Sequence, residues 1–508
     1  MRKNFENPSL DAGLRGTRLH PSPGGEGRTV PGEGHQGEIP RSGVRAAHLG
    51  ARRHHPRKGV ALIIVLWVMA ILTLLMYAFL GDMQVEYAVA GGYADGKKAE
   101  QLAWSAIDLA CATVLNDTQR WQSLNDTTWA NNPDNFYEVP LGDGAFTVFR
   151  PLYDDAQTIL WGLDDEASKI NLNSAPKEIL LKLPNMTEDI VEAIIDWRDA
   201  NSTPGASGAE SPYYNGLTPP YNCKNQPFET VEELLYVRGI TPAILYGEDF
   251  NLNGRLEPNE DDGDQTWPPD NGDGKLDPGL WQLCTVWSSD ANMDANGKNR
   301  VNLNTATDQQ LQAAGLQPAE AQMILTQRLA TPFLSVAQIL GGQGIPPAVT
   351  PARFKLIVDR LTTVAGPTVQ GLVNINTAPK QVLLCLPGIT EDIAVKIMDY
   401  RTTPGNDLSN MGWLLGVVEP AVLQRFAAFI TCRSYQFRIH AVGRVGTPYD
   451  PGGGSSDGVS ERPGAFRRMV AVFDKLATPN PRLVYWKDQS KLGMPYDPMD
   501  GPNAVPNR

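Results

Sequence analysis

The sequence predicts an α+β protein. A long N-terminal helix, transmembrane in its first part, packs on a small antiparallel sheet, and a large α-helical domain is inserted between the strands of that sheet. Three observations carry this reading. A charge-free run of 21 residues, Val60–Leu80, passes without a break into a helical apolar period. The motif Asn-x-Asn-Ser/Thr-Ala recurs three times, each time ahead of a helix–turn–helix pattern. Alternating runs that read as half-buried strands lie on either side of those repeats.

Val60–Leu80 is long enough, at about 1.5 Å per residue, to cross a hydrocarbon core of roughly 30 Å. It lacks the polar stripe of a buried soluble helix. Arg52, Arg53, Arg57 and Lys58 precede it and Asp82 and Glu86 follow, so the N-terminus is expected in the cytoplasm and the rest of the chain exported. Val85, Val89, Ala99, Leu102, Ala103, Ala106, Ile107, Ala110 and Val114 continue the helix to about Asn116-Asp117. Gly59 ahead of an apolar helix that enters a soluble domain resembles the type IV pilin-like layout. That layout implies prepilin peptidase cleavage between Gly59 and Val60; an ordinary signal anchor is the alternative. Pilin-like chains usually carry glutamate at the fifth mature position, where this chain has Ile64.

Residues 1–58 hold 11 of the 44 basic and 5 of the 57 acidic residues, leaving 33 against 52 in the remainder. This Gly/Pro/Arg/His-rich segment cannot bury a core. It reads as a leader removed on cleavage or as the product of a start codon assigned too far upstream. The acidic remainder repels phosphate backbones and suits divalent cations. The five cysteines are scattered, without CxxC or paired histidines, which argues against zinc. Cys111 and Cys385 read as small buried residues; export permits a disulfide without specifying its pairing.

Lys169–Ala175, Arg300–Ala306 and Leu372–Ala378 are the three copies of the repeat. Each ends in a Ser/Thr that can cap the next helix, and Pro176 and Pro379 stand at first-turn positions. Helices are expected over Lys177–Leu183 and Glu188–Trp197, Gln309–Ala314 and Ala319–Arg328, Lys380–Leu386 and Glu391–Tyr400. Half-copies follow at Val231–Val237 and Ser335–Leu340. The pattern is that of a helix-hairpin-helix unit. In DNA-binding hairpins the turn amides hold a phosphate, but here Glu188-Asp189 and Glu391-Asp392 occupy that position, which favours packing or protein contact.

An acidic insertion, about 201–299, separates the first two copies. Within it, Asp249–Glu260 fits a 12-residue EF-hand-type loop. Asp249, Asn251 and Asn253 are at positions one, three and five, Gly254 at six, the Arg255 carbonyl at seven and Glu260 at twelve. One Ca2+ is expected here, with a solvated acidic loop as the plain alternative. Asn271, Asp273 and Asp277 form a weaker echo, as do Asp290, Asn292 and Asp294.

Strands are expected at Gly144–Arg150, Tyr435–Gly443, Arg467–Asp474 and Arg482–Lys487. An exposed Thr447–Gly464 loop joins the middle pair. His440 is expected on the sheet surface, and the tail Gly493–Arg508 loose. The organisation is thus 1–59 leader, 60–80 span, 81–160 helix continuation and first strands, 161–432 insert, 433–488 last strands and 489–508 tail. No nucleophile–base constellation, phosphate loop or histidine set points to an enzyme.

Taken in order, the glycine-preceded helix lacking the fifth-position glutamate, the Asn-Leu-Asn-Ser/Thr-Ala repeats and the terminal Val-Tyr-Trp-Lys strand resemble the minor pseudopilin K family of type II secretion (general secretion pathway protein K). The resemblance covers roughly residues 58–488. It implies a pilin-like domain with a helical insert, bound calcium and a place at the tip of a periplasmic pseudopilus anchored in the inner membrane. It also implies minor pseudopilins I and J as partners, export of folded proteins, and no nucleic acid. The runner-up is a membrane-anchored DNA receptor of the competence type, which shares Asn-x-Asn-Thr-Ala and Leu-Pro-Gly-Ile. The acidic charge, the acidic helix starts and the calcium-type loop argue against it.

Overall fold

The computed structural model describes residues 60–508 except 120, 153, 155–157, 264, 343, 447–463, 499–500 and 502–508. Gly59, the leader and nearly all of the Thr447–Gly464 loop therefore lie outside the described residues. A single helix, α1, runs from Val60 to Asn116. Its residues 60–90 are exposed, and α1 is the one helix among the described residues long and apolar enough to cross a membrane. Farther along, Ala99, Ala103, Ala106 and Ala110 are completely buried, spaced so that small side chains repeat on one face.

That face meets an antiparallel sheet. Its strands are β1 (Val139–Leu141), β2 (Gly144–Pro151), β3 (Ile159–Leu160), β4 (Asp164–Asp165), β5 (Gln436–Val445), β6 (Ala465–Asp474) and β7 (Arg482–Asp488). The order is β1-β2-β5-β6-β7, with β3 beside β2 and β4 beside β5. β5 is central: it pairs with β6 along its whole length and with β2 from His440 to Val445. The helix and sheet share one core, including Ile107, Trp129, Phe149, Phe437 and Ile439, as the flanking strand patterns predict.

Between β4 and β5 lies the insert, with its own core from Ile170 to Cys432. It is held to the sheet by buried polar groups. Asp165 Oδ2 accepts hydrogen bonds from Thr377 Oγ1 (2.5 Å), Ser434 Oγ (2.6 Å) and Asn374 Nδ2 (3.2 Å). Burial pushes its carboxyl up to about 6, against those hydroxyl donors. Beside it, Glu166 pairs with Arg438 of β5 and with Lys169, and Lys169 also reaches Asp164 at 2.6 Å.

Two expectations are corrected here. His440 is 1% exposed, packed between the Phe149 ring (5.1 Å between centroids) and Trp281 of the insert (6.1 Å), because the insert covers the sheet face it occupies. Neither ring nitrogen meets a partner among the described residues. The tail is anchored, not loose, over its described part: Tyr496 is buried, and its hydroxyl donates to Thr147 Oγ1 (2.6 Å).

The buried imidazole yields a prediction. Burial, then the cations Arg438, Arg468 and Lys169, press its pKa well below 6.5. It is neutral when folded and takes up a proton on unfolding. The stability it confers is therefore complete above pH 6.5 and is lost as pH falls below that value. In His440→Leu, thermal midpoints measured between pH 7 and 5 are expected to fall less steeply than in the wild type. The difference in slope is up to about 1.4 kcal/mol per pH unit. Equal slopes would contradict this account.

Candidate functional site

The insert is built from three modules, each longer than the sequence repeat suggests. Each opens with a two-residue strand, at Ile170–Asn171, Val301–Asn302 and Val373–Asn374. Each closes with another, at Cys284–Thr285, Leu361–Thr362 and Ile430–Thr431, paired in parallel with the first. The first Asn accepts the backbone N–H of the second at 2.9, 2.8 and 3.0 Å in the three modules. The second Asn then fastens a distant loop. Asn173 exchanges two hydrogen bonds with the Phe228 backbone, Asn304 does the same with Phe333, and Asn376 donates to Leu408 O. An arginine near the end of the second helix clasps the motif's carbonyls: Arg198 those of Leu172 and Ala175, Arg328 those of Leu303 and Ala306, Arg401 those of Ile375 and Ala378. Two asparagines and one arginine thus replace most of a sheet.

The expected helix pairs are present with shifted ends, at Lys177–Leu180 and Glu188–Arg198, Asp308–Ala313 and Pro318–Ala330, Lys380–Cys385 and Glu391–Thr402. The turns between them place Asn185, Gly315 and Gly388 at positive φ. At the second helix of the outer modules the acidic first turn meets a lysine. Lys177 pairs with Glu188 and Glu192, and Lys380 with Glu391 at 2.8 Å. The half-copies prove to be second halves of modules one and two, and sequence reasoning missed the matching half in module three, Met411–Gly416 with Pro420–Phe426. The signal was present: Phe228-x-Thr230, Phe333-x-Ser335 and Leu408-x-Asn410 precede the short helices, and Pro242, Pro351 and Pro420 start the helices that follow.

The acidic loop adopts a compact turn. Asp249 and Asn253 are fully buried, Asn251 and Glu260 nearly so. Asp249 Oδ1 accepts from Asn253 N and Oδ2 from Gly254 N, both at 3.0 Å, while Asn251 Oδ1 also accepts from Asn253 N. Asn253 Oδ1 accepts from Arg255 N (2.7 Å). Glu260 receives the Phe250 and Glu257 amides at 2.9 and 3.1 Å, and Gly254 supplies the positive φ that position six requires. Burial pushes Asp249 up to about 6; burial and then the charge of Asp249 push Glu260 up to about 8. Two buried carboxylates in one loop, together with the side-chain oxygens of Asn251 and Asn253, are a hard-oxygen donor set suited to a divalent cation. Among the described residues no set of three or more His, Cys, Asp and Glu side chains could hold a metal, so any such site depends on Asn and carbonyl oxygens.

The two weaker echoes differ. Asn271, Asp273 and Asp277 are exposed; Asn271 and Asp273 each accept a backbone amide two residues on, and Asp277 accepts Asn271 Nδ2. Asp290 is buried, but its oxygens face Arg300 (3.3 Å) and Thr431 Oγ1 (2.6 Å). Asn292 Nδ2 bonds to Gly366 O. Burial pushes Asp294 up, yet the amides of Lys298 and Asn296 hold it below the carboxylate range. Val60 is the first helical residue described. All five cysteines are free; Cys111 is half-buried and the other four are buried.

Family models described as type II secretion system (T2SS), protein K match residues 170–246 and 301–355, within the first and second modules. Type II secretion system protein K of Aeromonas hydrophila is 30% identical over 203 residues, 37% of this chain and 60% of the relative. The protein of the same name from Pectobacterium carotovorum subsp. carotovorum is 25% identical over 212 residues, 40% and 62%. This chain therefore spans about three fifths of the length of these relatives. A solved chain of the GspK-GspI-GspJ complex from enterotoxigenic Escherichia coli aligns over 80% of this chain and 98% of its own, with 13% identity and a TM-score of 0.36.

Proposed function

We propose that this chain, which carries two domains of the type II secretion protein K family, is a minor pseudopilin of that system. In this reading residues 60–80 span the inner membrane and the bulk of the chain lies in the periplasm, with minor pseudopilins I and J as neighbours. It nucleates or caps the pseudopilus tip during export of folded proteins and has no enzymatic role. The observation that carries the proposal is the junction of parts: a 57-residue helix, apolar and exposed at its start, whose far half is buried on a sheet interrupted by the matching modules. The same junction supports the tip position. Ile64, in place of a glutamate, offers no charge to the amino group of a subunit above, and the insert adds bulk beside the sheet.

Calcium belongs to the same proposal. Asp249, Asn251, Asn253, the Arg255 carbonyl and Glu260 would hold it, and when bound it would add positive charge beside the two buried carboxylates. The protein's own contribution is to keep those oxygens buried and oriented by backbone amides.

The N-terminus after co-expression with a prepilin peptidase tests the class. A new terminus at Val60 is expected, together with co-purification with minor pseudopilins I and J. An uncut chain would remove the pseudopilin reading. A tip complex with a further subunit stacked above this one would remove the capping role.

A further inference from the structure

The acidic loop is held from two sides by parts of the chain far from it in sequence. From β6, Arg468 is fully buried and donates Nη1 to Asn251 O and Nη2 to Leu252 O, both at 2.7 Å. These carbonyls belong to loop positions three and four. From the C-terminal side, Asn253 Nδ2 donates to Pro495 O at 3.3 Å, alongside its bond to Glu257 Oε1 within the loop at 3.0 Å. Pro495 lies in a short strap, residues 489–498, that leaves the sheet beside Arg468. Arg468 O accepts Gln489 N at 2.8 Å, and Arg468 N donates to Ser490 Oγ at 3.0 Å. One residue thus holds the root of the strap with its backbone and the loop with its side chain.

The strap is pinned at its other end. Tyr496 is buried in the helix–sheet core, its hydroxyl bonded to Thr147 and to Glu138 Oε1 (2.8 Å), its ring 5.2 Å from that of Trp161. Tyr137 donates to Pro498 O at 3.2 Å. Loop position five therefore bonds, through its Asn253 amide, to the residue next to the strap's anchor.

We propose that the acidic loop and the C-terminal strap close as one unit, so that a divalent cation in the loop and the seating of residues 494–498 on the sheet reinforce each other. This rests on the calcium reading given above. Asn253 cannot turn Oδ1 toward a cation without fixing Nδ2, and Nδ2 is what meets the strap. Arg468 in turn fixes the carbonyls of Asn251 and Leu252 on the sheet. Seating the strap restricts the loop before the cation arrives, and cation binding returns the same free energy to the strap.

The experiment uses the full-length protein in detergent, with Ca2+ alone as probe. Equilibrium dialysis gives the affinity, and amide exchange of residues 493–497 is followed with Ca2+ and with chelator. Wild-type protein is expected to bind Ca2+ and to protect the strap at least about tenfold more when loaded. Tyr496→Ala is expected to weaken Ca2+ binding by about tenfold, by reciprocity. Should Tyr496→Ala fail to fold, Tyr496→Phe, which keeps the ring and removes two hydrogen bonds, is expected to weaken binding several-fold. Ca2+ bound with strap exchange unchanged, or with the variants unaffected, overturns the coupling and leaves the calcium reading standing. Absence of Ca2+ binding to the wild type overturns both.

Discussion

Gly443→Val is expected to lower the thermal midpoint of the detergent-solubilised protein sharply, at a cost of about 3 kcal/mol or more. Gly443 sits in β5 where α1 crosses the sheet. A Cβ there would lie 2.1 Å from Ala99 O, 2.4 Å from Ala103 N and 2.8 Å from Leu102 Cβ. Two of these are backbone atoms of a helix, which cannot turn aside as a side-chain end can. The helix would have to lift, opening the packing of Ala99, Ala103 and Ala106, all fully buried. Overpacking in a closed core costs about 1–3 kcal/mol, and more where backbone must move. Gly92→Ala is the opposite case: nothing lies within 4 Å of the added methyl, in the interior of the same helix. It is expected to stabilise by up to about 1 kcal/mol. Unfolding midpoints of the two variants that moved together would refute the close-approach explanation.

Glu166→Gln is expected to cost about 3 kcal/mol or more while keeping the size of the side chain. Glu166 is fully buried between Arg438 and Lys169, each 2% exposed at the side chain, and also accepts the Thr285 hydroxyl. Burial alone would raise its pKa, but Arg438 and Lys169 reverse this and hold it below the usual carboxylate value. With the anion gone, Lys169 keeps its pair with Asp164 while Arg438 loses its pair with Glu166, the situation in which broken buried pairs are most damaging. Arg438→Met added to Glu166→Gln is expected to recover part of the loss, because it removes the cation that loses its pair with Glu166. Denaturant midpoints in which the double variant is worse than the single one would contradict this charge balance.

Much of this architecture was legible in the sequence for identifiable reasons. The long helix was readable because its exposed apolar half and its sheet-facing half both leave a strong apolar pattern, and the strands of the sheet because they are rich in β-branched and aromatic residues between turn signals. The loop Asp249–Glu260 was legible in outline, since each position of such a loop has its own chemical demand. The module closures were not, because two-residue strands such as Cys284–Thr285 and Leu361–Thr362 are too short to show a period. Nor was His440: alternation gives the face of a strand but not whether a distant segment, here Trp281, covers it. The strap was hidden for the same reason, as Tyr496 gains its burial from contacts with residues more than 300 positions earlier.

The parallel closure of each module has a consequence for how such a chain can change length. Because opening and closing strands are hydrogen-bonded neighbours, the chain enters and leaves a module roughly 5 Å apart. A unit bounded in this way is a cassette. It can be gained or lost whole while the flanking segments keep their distance, provided that the buried contacts joining the insert to the sheet, such as those of Asp165 and Arg468, are kept. Duplication inside a single gene could lengthen the insert by this route without passing through a broken fold.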